Sequence, residues 1–266
     1  MPLEILNTLG TSGRITCWEQ NYRSTYYVFL KSSMFGVTVK ESEIKTFMHN
    51  QKLDFLFLLE TDVVLTKNNF KSYANCNAVL PIHDENTKKE FKSRIVLLLG
   101  PMQGIKTTIR QNLMSDGVPS IWAEITKSNE TFLIGSFYRE WQDQYGDGSR
   151  EGQRRRLNDF FEQVERAKEE KKKMLVLGDF NLDVERLNDK TYYERTMAVE
   201  LNRLTVTNGL DYIPVGKTFS ANVGTKENPV MMHSCIDHVY IGNGMKLASA
   251  RSPDNGMSDH TPSSLK

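Results

Sequence analysis

The amino-acid sequence predicts an α/β fold in which helices flank sheets, as in a layered sandwich. Short apolar runs that are typical of buried strands occur at residues 53–59, 93–99 and 174–177. Other segments have the apolar spacing of helices, and they alternate with the strand-like runs. There is no internal repeat and no low-complexity linker, so we expect a single domain over residues 1–266.

The first half of the chain supplies most of one group of strands. Apolar residues at Ile44, Phe47 and Met48 have helical spacing, and residues 53–59 (LDFLFLL) form a strongly apolar run that ends at Glu60. The predicted elements are a first strand at 14–18, a helix at 40–50, strands at 53–59 and 93–99, and a polar, loop-like segment at 68–90.

The second half contains a hairpin and two helices. Residues 120–126 and 131–138 flank the turn Ser128-Asn129-Glu130 and are typical of a β-hairpin. A long helix at 150–173 would bury Leu157, Phe160, Phe161 and Val164. The lysines near its C-terminal end are more typical of a solvated helix end, where cations interact favourably with the helix dipole, than of a DNA-binding patch. The remaining predicted elements are a strand at 174–177, a helix at 192–208 stopped by Gly209, and a strand at 236–241.

Composition excludes several classes of protein. The 34 basic and 33 acidic residues give a net charge of +1, which excludes a strongly basic protein that wraps nucleic acid. Three widely spaced cysteines indicate a reducing compartment. No apolar run reaches the roughly 18 residues needed to span a membrane, and the N-terminus lacks a secretory signal. We therefore expect an intracellular protein without membrane contact.

The stretch 174–183 (MLVLGDFNLD) organises the sequence. After the strand and Gly178, Asp179 and Asn181 follow at alternate positions. This pattern fits a metal or phosphate site on a rigid scaffold, but taken alone it favours a tight turn.

The same pattern recurs along the chain: acidic or amide side chains stand at the ends of predicted apolar strands. These are Glu60, Asp179 with Asn181, and Asp237, while Asp259 and His260 complete the set near the end. Carboxylates at one sheet edge repel each other unless a divalent cation neutralises them. Oxygen ligands without cysteine favour Mg²⁺, with Mn²⁺ as a substitute, and this chemistry suits phosphoester hydrolysis.

Five motifs then resemble a known family. LLET at 58–61, GSFYR at 135–139, LGDFN at 177–181, SCIDHVYI at 234–241 and SDHTP at 258–262 occur in the order of the endonuclease/exonuclease/phosphatase superfamily. The combination is most similar to the apurinic-endonuclease-like domain of non-LTR retrotransposons. The resemblance implies a four-layer αββα sandwich of two mixed, mostly antiparallel sheets flanked by helices.

The resemblance also implies a role for each matching residue. Glu60 and Asp259 would hold the metal, Asp179 would position or activate the attacking water, and Asn181 would bind the scissile phosphate. Tyr138 would reach a phosphate oxygen, and Asp237 would pair with His260. From position alone, Glu60 is also compatible with a surface acid and Tyr138 with a core tyrosine. Arg139 is the first candidate among loop cations for phosphate contact, whereas His238 should face away from Asp237 as a structural residue.

Two departures from the family pattern concern the metal and the phosphate loop. The family usually has an asparagine at the end of its first strand; Asn21 is the best match and Asn7 competes with it. Glu140-Trp141 stands where many relatives have two prolines, which puts the shape of that loop in doubt.

The sequence thus predicts a magnesium-dependent DNA endonuclease that nicks one strand and leaves a 3′-hydroxyl for target-primed reverse transcription. Its expected partners are DNA and a reverse transcriptase domain in a longer polyprotein, and the domain is expected to be monomeric. Two alternatives stay open: another phosphoesterase of the superfamily, acting on abasic DNA, a phosphoinositide or a phospholipid, and a decayed domain that binds nucleic acid without cutting it.

Overall fold

The computed structural model describes most of the chain. The described residues are 26–31, 41–50, 53–64, 76–82, 92–100, 104–143, 146–223, 225, 228–246, 250–251 and 264–265.

Three helices and a series of strands are defined within these residues. The helices are α1 Glu41–Asn50, α2 Arg150–Glu169 and α3 Arg195–Thr207. The strands are β1 Tyr26–Lys31, β2 Leu53–Val64, β3 Asn77–Val79, β4 Lys92–Leu99, β5 Ile105–Ile109, β6 Ser120–Lys127, β7 Glu130–Tyr138, β8 Lys173–Asp179, β9 Asp211–Ile213, β10 Phe219–Asn222, β11 Met231–Ser234, β12 Asp237–Gly242, β13 Ala250–Arg251 and β14 Ser264–Leu265.

The first sheet has the order β1-β2-β4-β3. β1 and β2 run parallel, with α1 between them in sequence and packed against β2, while β2, β4 and β3 are antiparallel. The predicted helix at 40–50 and the predicted strands at 53–59 and 93–99 are confirmed. The loop-like prediction for 68–90 is wrong in one place, because β3 forms there by pairing with β4. The predicted first strand at 14–18 lies outside the described residues.

The second sheet has the order β5-β6-β7-β8-β12-β9. Its one parallel pair is β7 and β8, which α2 connects, and the other neighbours are antiparallel. The predicted hairpin is confirmed as β6 and β7. Its turn residues Ser128 and Asn129 both have positive φ, 48° and 73°, as the tightest hairpin turns require.

Helix α2 buries the predicted apolar stripe of Leu157, Phe160, Phe161 and Val164. Ser149 caps it, since the Ser149 side chain accepts a hydrogen bond from the backbone N–H of Gly152 at 3.0 Å. The helix ends at Glu169 and not at Lys173 as predicted, because Lys171 turns to φ 54° and Lys173 already pairs with Phe132 in the sheet.

The two sheets face each other and helices cover them. β2 and β4 contact β7, β4 contacts β6, and α2 packs on β7 and α3. One apolar core joins both sheets and α2 through residues such as Phe57, Leu97, Trp122, Phe160 and Leu175. The predicted four-layer α/β sandwich is confirmed. None of the helices in the described residues is both long and apolar enough to cross a membrane.

Candidate active site

Tyr138, Asp179 and Asp237 lie side by side on three adjacent strands. Tyr138 at the end of β7 pairs with Asp179 at the end of β8, and Asp179 pairs with Asp237 at the start of β12. Directly paired residues project from the same face of a sheet. The side chains are almost completely buried. The structure therefore brings together three predicted site residues that together span about 100 positions of the chain; we call them the Tyr–Asp–Asp row.

The glycine before Asp179 allows β7 and β8 to approach closely. A Cβ atom on Gly178 would lie 1.9 Å from the carbonyl oxygen of Phe137. Beyond it, the Asp179 carbonyl accepts a hydrogen bond from the Arg139 backbone N–H at 2.8 Å. Strand β8 thus continues through Gly178 to Asp179, and does not stop at Gly178 as the sequence predicts.

Asn181 forms a tight turn with the Asp179 carboxylate. Its backbone N–H donates to Asp179 Oδ1 at 2.9 Å, its φ is 51°, and its Nδ2 donates to the Arg139 carbonyl at 2.8 Å. The turn that the sequence allows at this point is present, and the same turn places Asn181 beside the row. One of the two amide hydrogens of Asn181 is used by the Arg139 carbonyl.

Thr218 fixes the backbone that carries Asp237. Its fully buried hydroxyl accepts hydrogen bonds from the N–H groups of Ile236 and Asp237, at 3.0 and 3.1 Å, and its own N–H donates to the Ser234 carbonyl. A second support comes from Asp183, whose carboxylate accepts from the Cys235 N–H at 3.3 Å and whose pKa is raised by burial. Sequence reasoning missed Thr218, because a threonine that bonds backbone groups far along the chain leaves no local pattern.

Arg139 occupies a different position from the one that its predicted role requires. Its side chain is fully buried, donates to Asn181 O at 3.1 Å and to Gln153 Oε1, and pairs with Glu194 at 3.1 Å. Burial lowers the pKa of this guanidinium. With its guanidinium bonded inside the protein, Arg139 supports the Asn181 turn. The structure does not support a contact between Arg139 and a substrate phosphate.

Arg94 on β4 is a cation that sequence reasoning missed. Its Nη2 donates to the Tyr138 hydroxyl at 3.2 Å, and its guanidinium carbon lies 5.2 Å from the centroid of the Tyr138 ring. Its Nε is 3.7 Å from a carboxylate oxygen of Glu140, and 28 % of its side chain is exposed. Arg94 lies within a strand that carries no recognisable motif, so the sequence alone does not indicate that its side chain reaches the site.

Glu60 lies within β2, at an irregularity opposite Arg94, whereas the sequence predicts it at the end of a strand. Leu59 pairs with Ile95 and Val63 with Ser93, so three residues of β2 face the single residue Arg94. A bulge of this kind bends a strand and redirects its side chains. The backbone of Glu60 is thus next to the strand position whose side chain reaches Tyr138. The Glu60 side chain is outside the described part.

His238 is buried on β12 and held on both ring nitrogens. Nε2 lies 3.2 Å from the Cys235 carbonyl oxygen, Nδ1 lies 2.8 Å from the Tyr240 hydroxyl, and the ring stacks on Phe180. Because a carbonyl only accepts, Nε2 carries the hydrogen and Nδ1 accepts from Tyr240. These contacts agree with the structural role predicted for His238.

Several predicted site residues lie outside the described residues, namely Asn21, Asp259 and His260. The family's asparagine is expected at the end of the first strand. Asn21 instead precedes β1, which is the strand that runs parallel to β2. Among the described residues there is no group of three or more His, Cys, Asp or Glu side chains that could hold a metal ion. The two acids of the row offer only oxygen donors, which suits a hard cation such as Mg²⁺.

Comparison with known proteins identifies the family. Residues 37–260 match the endonuclease/exonuclease/phosphatase family, and the chain belongs to it. No curated protein sequence matches the chain.

Solved structures resemble the fold over most of its length. The endonuclease domain of TRAS1, a telomere-specific non-LTR retrotransposon, superimposes with a TM-score of 0.61 at 14 % identity, over 88 % of this chain and 94 % of that one. The 3′-5′ exonuclease NExo from Neisseria meningitidis gives a TM-score of 0.57 at 14 % identity, over 90 % and 98 % of the two chains. TDP2 of D. rerio, complexed with a single-strand DNA product, gives 0.51 at 13 % identity, over 86 % and 91 %. At such identities the similarity shows the shared fold.

Proposed function

We propose that the chain is a magnesium-dependent DNA endonuclease that nicks one strand and leaves a 3′-hydroxyl. The observation that carries the proposal is the Tyr–Asp–Asp row, in which two buried carboxylates and a phenol share one edge of the second sheet. The similarity in fold to a retrotransposon endonuclease domain supports DNA as the substrate.

The described residues divide the work as follows. The Asp179 carboxylate positions or activates the attacking water, and Asn181 donates its second amide hydrogen to the scissile phosphate. Tyr138 donates its hydroxyl to a phosphate oxygen, since the Tyr138 oxygen already accepts from Arg94. Arg94 takes the phosphate-binding role predicted for Arg139, because its guanidinium is partly exposed beside Tyr138.

The remaining roles involve residues whose side chains are not described. Glu60, Asp259 and Asn21 would hold Mg²⁺, with Mn²⁺ as a substitute. The ion, when bound, offsets negative charge on the phosphate. Asp237 would pair with His260 and hold the imidazole in one tautomer beside the phosphate.

A plasmid-nicking assay with the full chain and Mg²⁺ tests this proposal. Asp179→Asn and Asp237→Asn keep the size of each side chain and remove its charge, and each should lower the nicking rate about 100-fold or more. Asp211→Asn, at an exposed acid on β9, is the matched control and should nick at the parental rate. Absence of relaxed plasmid with the parent protein would refute the proposal, as would equal rates for all variants.

The nature of the product end is tested separately. A nick with a 3′-hydroxyl is extended by a DNA polymerase without prior treatment, whereas a 3′-phosphate blocks extension. We expect extension, as the proposed priming of reverse transcription requires. Extension only after phosphatase treatment would contradict the proposed product.

Assays on other substrates distinguish the alternatives. Faster cleavage of abasic DNA or of a small phosphodiester than of intact DNA would indicate another phosphoesterase of the family. DNA binding that weakens with salt, without cleavage, would indicate a decayed domain. The proposed setting is a monomeric domain of a longer polyprotein that contains a reverse transcriptase and acts in the nucleus.

A further inference from the structure

Two large aromatic side chains are exposed next to the turn that carries Asn181. Trp141, in the loop after β7, is 42 % exposed, and Tyr193, just before α3, is 67 % exposed. Together with Arg150 at the start of α2, which is 58 % exposed, they form a surface that we call the aromatic–arginine surface.

A buried network connects both aromatic residues to the active site. The Arg139 guanidinium lies 5.1 Å from the Trp141 ring centroid and also bonds the Asn181 carbonyl. Arg139 pairs with Glu194, the residue that follows Tyr193. The aromatic–arginine surface therefore lies on the Asn181 side of the Tyr–Asp–Asp row.

The backbone of this surface is held firmly. The Trp141 carbonyl accepts a hydrogen bond from Gln153 Nε2 at 3.2 Å, and the Tyr193 carbonyl accepts from Arg150 Nη2 at 2.9 Å. The backbone that carries both rings is thus fixed, so that little backbone ordering is needed when a ligand binds.

The charge of the surface complements an anion. Arg139 and Arg150 share one carboxylate, that of Glu194, at 3.1 and 3.8 Å. These three groups carry one net positive charge, and Arg150 is the exposed cation among them, because Arg139 and Glu194 are buried. Positive charge beside exposed aromatic rings is the combination that binds single-stranded nucleic acid, because the rings stack on bases while the cations attract phosphates.

We propose that the aromatic–arginine surface binds unpaired nucleotides of the DNA strand next to the scissile phosphate. The proposal rests on the proposed function, which places that phosphate at the Tyr–Asp–Asp row. In intact duplex the faces of the bases are covered by their neighbours, and inserting a ring costs unstacking energy. The preferred substrate class is therefore DNA that carries a bubble, a mismatch or an overhang beside the cut.

Fluorescence anisotropy of the full chain, with EDTA present to prevent cleavage, tests this proposal. The probes are a labelled duplex and the same duplex with a short central bubble. Tyr193→Ala and Trp141→Ala should each weaken binding to the bubble about tenfold and change binding to the paired duplex little. Tyr193→Phe keeps the ring and should bind like the parent, and Tyr193→Leu, which keeps bulk without a π face, should bind like Tyr193→Ala.

Matched controls separate this proposal from loss of folding and from the proposed function. Val206→Ala, at an equally exposed side chain on α3, should leave binding to both probes unchanged. Unpaired DNA should also quench tryptophan fluorescence in the parent and less in Trp141→Phe.

If the alanine variants bind the bubble as the parent does while plasmid nicking persists, this inference fails and the endonuclease proposal stands. If the bubble preference depends on both rings but no DNA is cut, the endonuclease proposal fails and the binding surface stands. Tighter binding to RNA than to the same DNA would overturn the assignment to DNA.

Discussion

Arg139 and Glu194 are a buried ion pair, and their position explains how the Asn181 turn is held. Ionised groups are costly to bury, and this cost is offset only when each group has a partner. Arg139 meets that condition by bonding the Asn181 carbonyl, Gln153 and Glu194 at the same time. The pair therefore acts as a positioning element for the candidate active site.

Removal of one member should cost more than removal of both. Arg139→Met leaves the Glu194 carboxylate buried beside Arg150 alone, and we expect the free energy of unfolding to fall by about 3 kcal/mol in urea titrations. The double variant Arg139→Met/Glu194→Gln should lose less than the single one. Arg203→Met, which removes a surface pair with Glu200, should change stability by less than about 0.5 kcal/mol. An equal fall in the free energy of unfolding for Arg139→Met and Arg203→Met would contradict the positioning role of the Arg139–Glu194 pair.

At the residue scale, motifs predicted which side chains meet but not where every one of them points. Tyr138, Asp179 and Asp237 could be predicted because each ends or begins an apolar strand at the same sheet edge. Arg139 follows Tyr138 directly, but its side chain lies inside the protein and bonds Asn181, Gln153 and Glu194, because consecutive residues of an extended chain project to opposite sides. Arg94 and Thr218 act through tertiary contacts alone, which no local pattern encodes.

At the scale of elements, four charged residues fasten one end of the second sheet to α2. Arg110 follows β5, Glu124 lies on β6, Glu170 caps the C-terminal end of α2 and Lys172 precedes β8. Arg110 bonds both glutamates, and Lys172 lies 2.6 Å from Glu124 and 3.0 Å from Glu170. Of the lysines predicted at the end of α2, Lys172 therefore stabilises the fold through its ion pairs with Glu124 and Glu170.

This cluster should make stability depend on pH in the acid range. A hydrogen bond from Lys172 to Glu124 and hydrogen bonds from Arg110 and Lys172 to Glu170 hold the pKa of each carboxyl below its usual value. The stabilisation is complete above the pKa of the unfolded chain, near 4.3, and is lost as pH falls through the lower folded value. Between pH 6 and pH 3 we expect a loss of about 1 kcal/mol from the cluster, discounted for its partial exposure.

Urea unfolding over that pH range checks the expectation. Glu124→Gln/Glu170→Gln should flatten the acid limb of the stability curve relative to the parent. Glu165→Gln, at an exposed position of α2, should leave the curve unchanged. A double variant whose stability falls as steeply as that of the parent would show that the cluster contributes nothing at low pH.

The length of an element decided whether it could be predicted from the sequence. The β6–β7 hairpin and α2 are long and periodic, and both were predicted. β3 and β9 have three residues each, too few to show a period, and they exist because β4 and β12 offer them a ladder. The bulge that carries Glu60 was likewise hidden, since an apolar run does not indicate where its pairing partner shifts.

At the scale of the whole molecule, the balanced charge limits how the proposed DNA substrate would be held. With a net charge of +1, attraction to DNA would have to come from local groups such as Arg94 and Arg150. The layered architecture followed from the alternation of strands and helices, whereas the pairing of two sheets into four layers followed from the family resemblance, because contacts between sheets leave no period in the sequence.

A shallow salt dependence of DNA binding should follow from this charge balance. With about three or four phosphate contacts, the slope of log K against log salt concentration should be about −3. Anisotropy titrations over a range of KCl concentrations measure it, and Arg150→Met should reduce the slope by about one. A slope near −10 would indicate a much larger basic surface than the described residues provide.

The hairpin of β10 and β11 begins and ends at neighbouring points of the fold. Thr218 precedes it, Ser234 ends it, and the two are joined by the hydrogen bond from Thr218 N–H to the Ser234 carbonyl. Asp237 is fastened to Thr218 and not to the hairpin tip. Loop length and composition at the tip can therefore be changed by substitution, insertion or deletion while Asp237 stays in place.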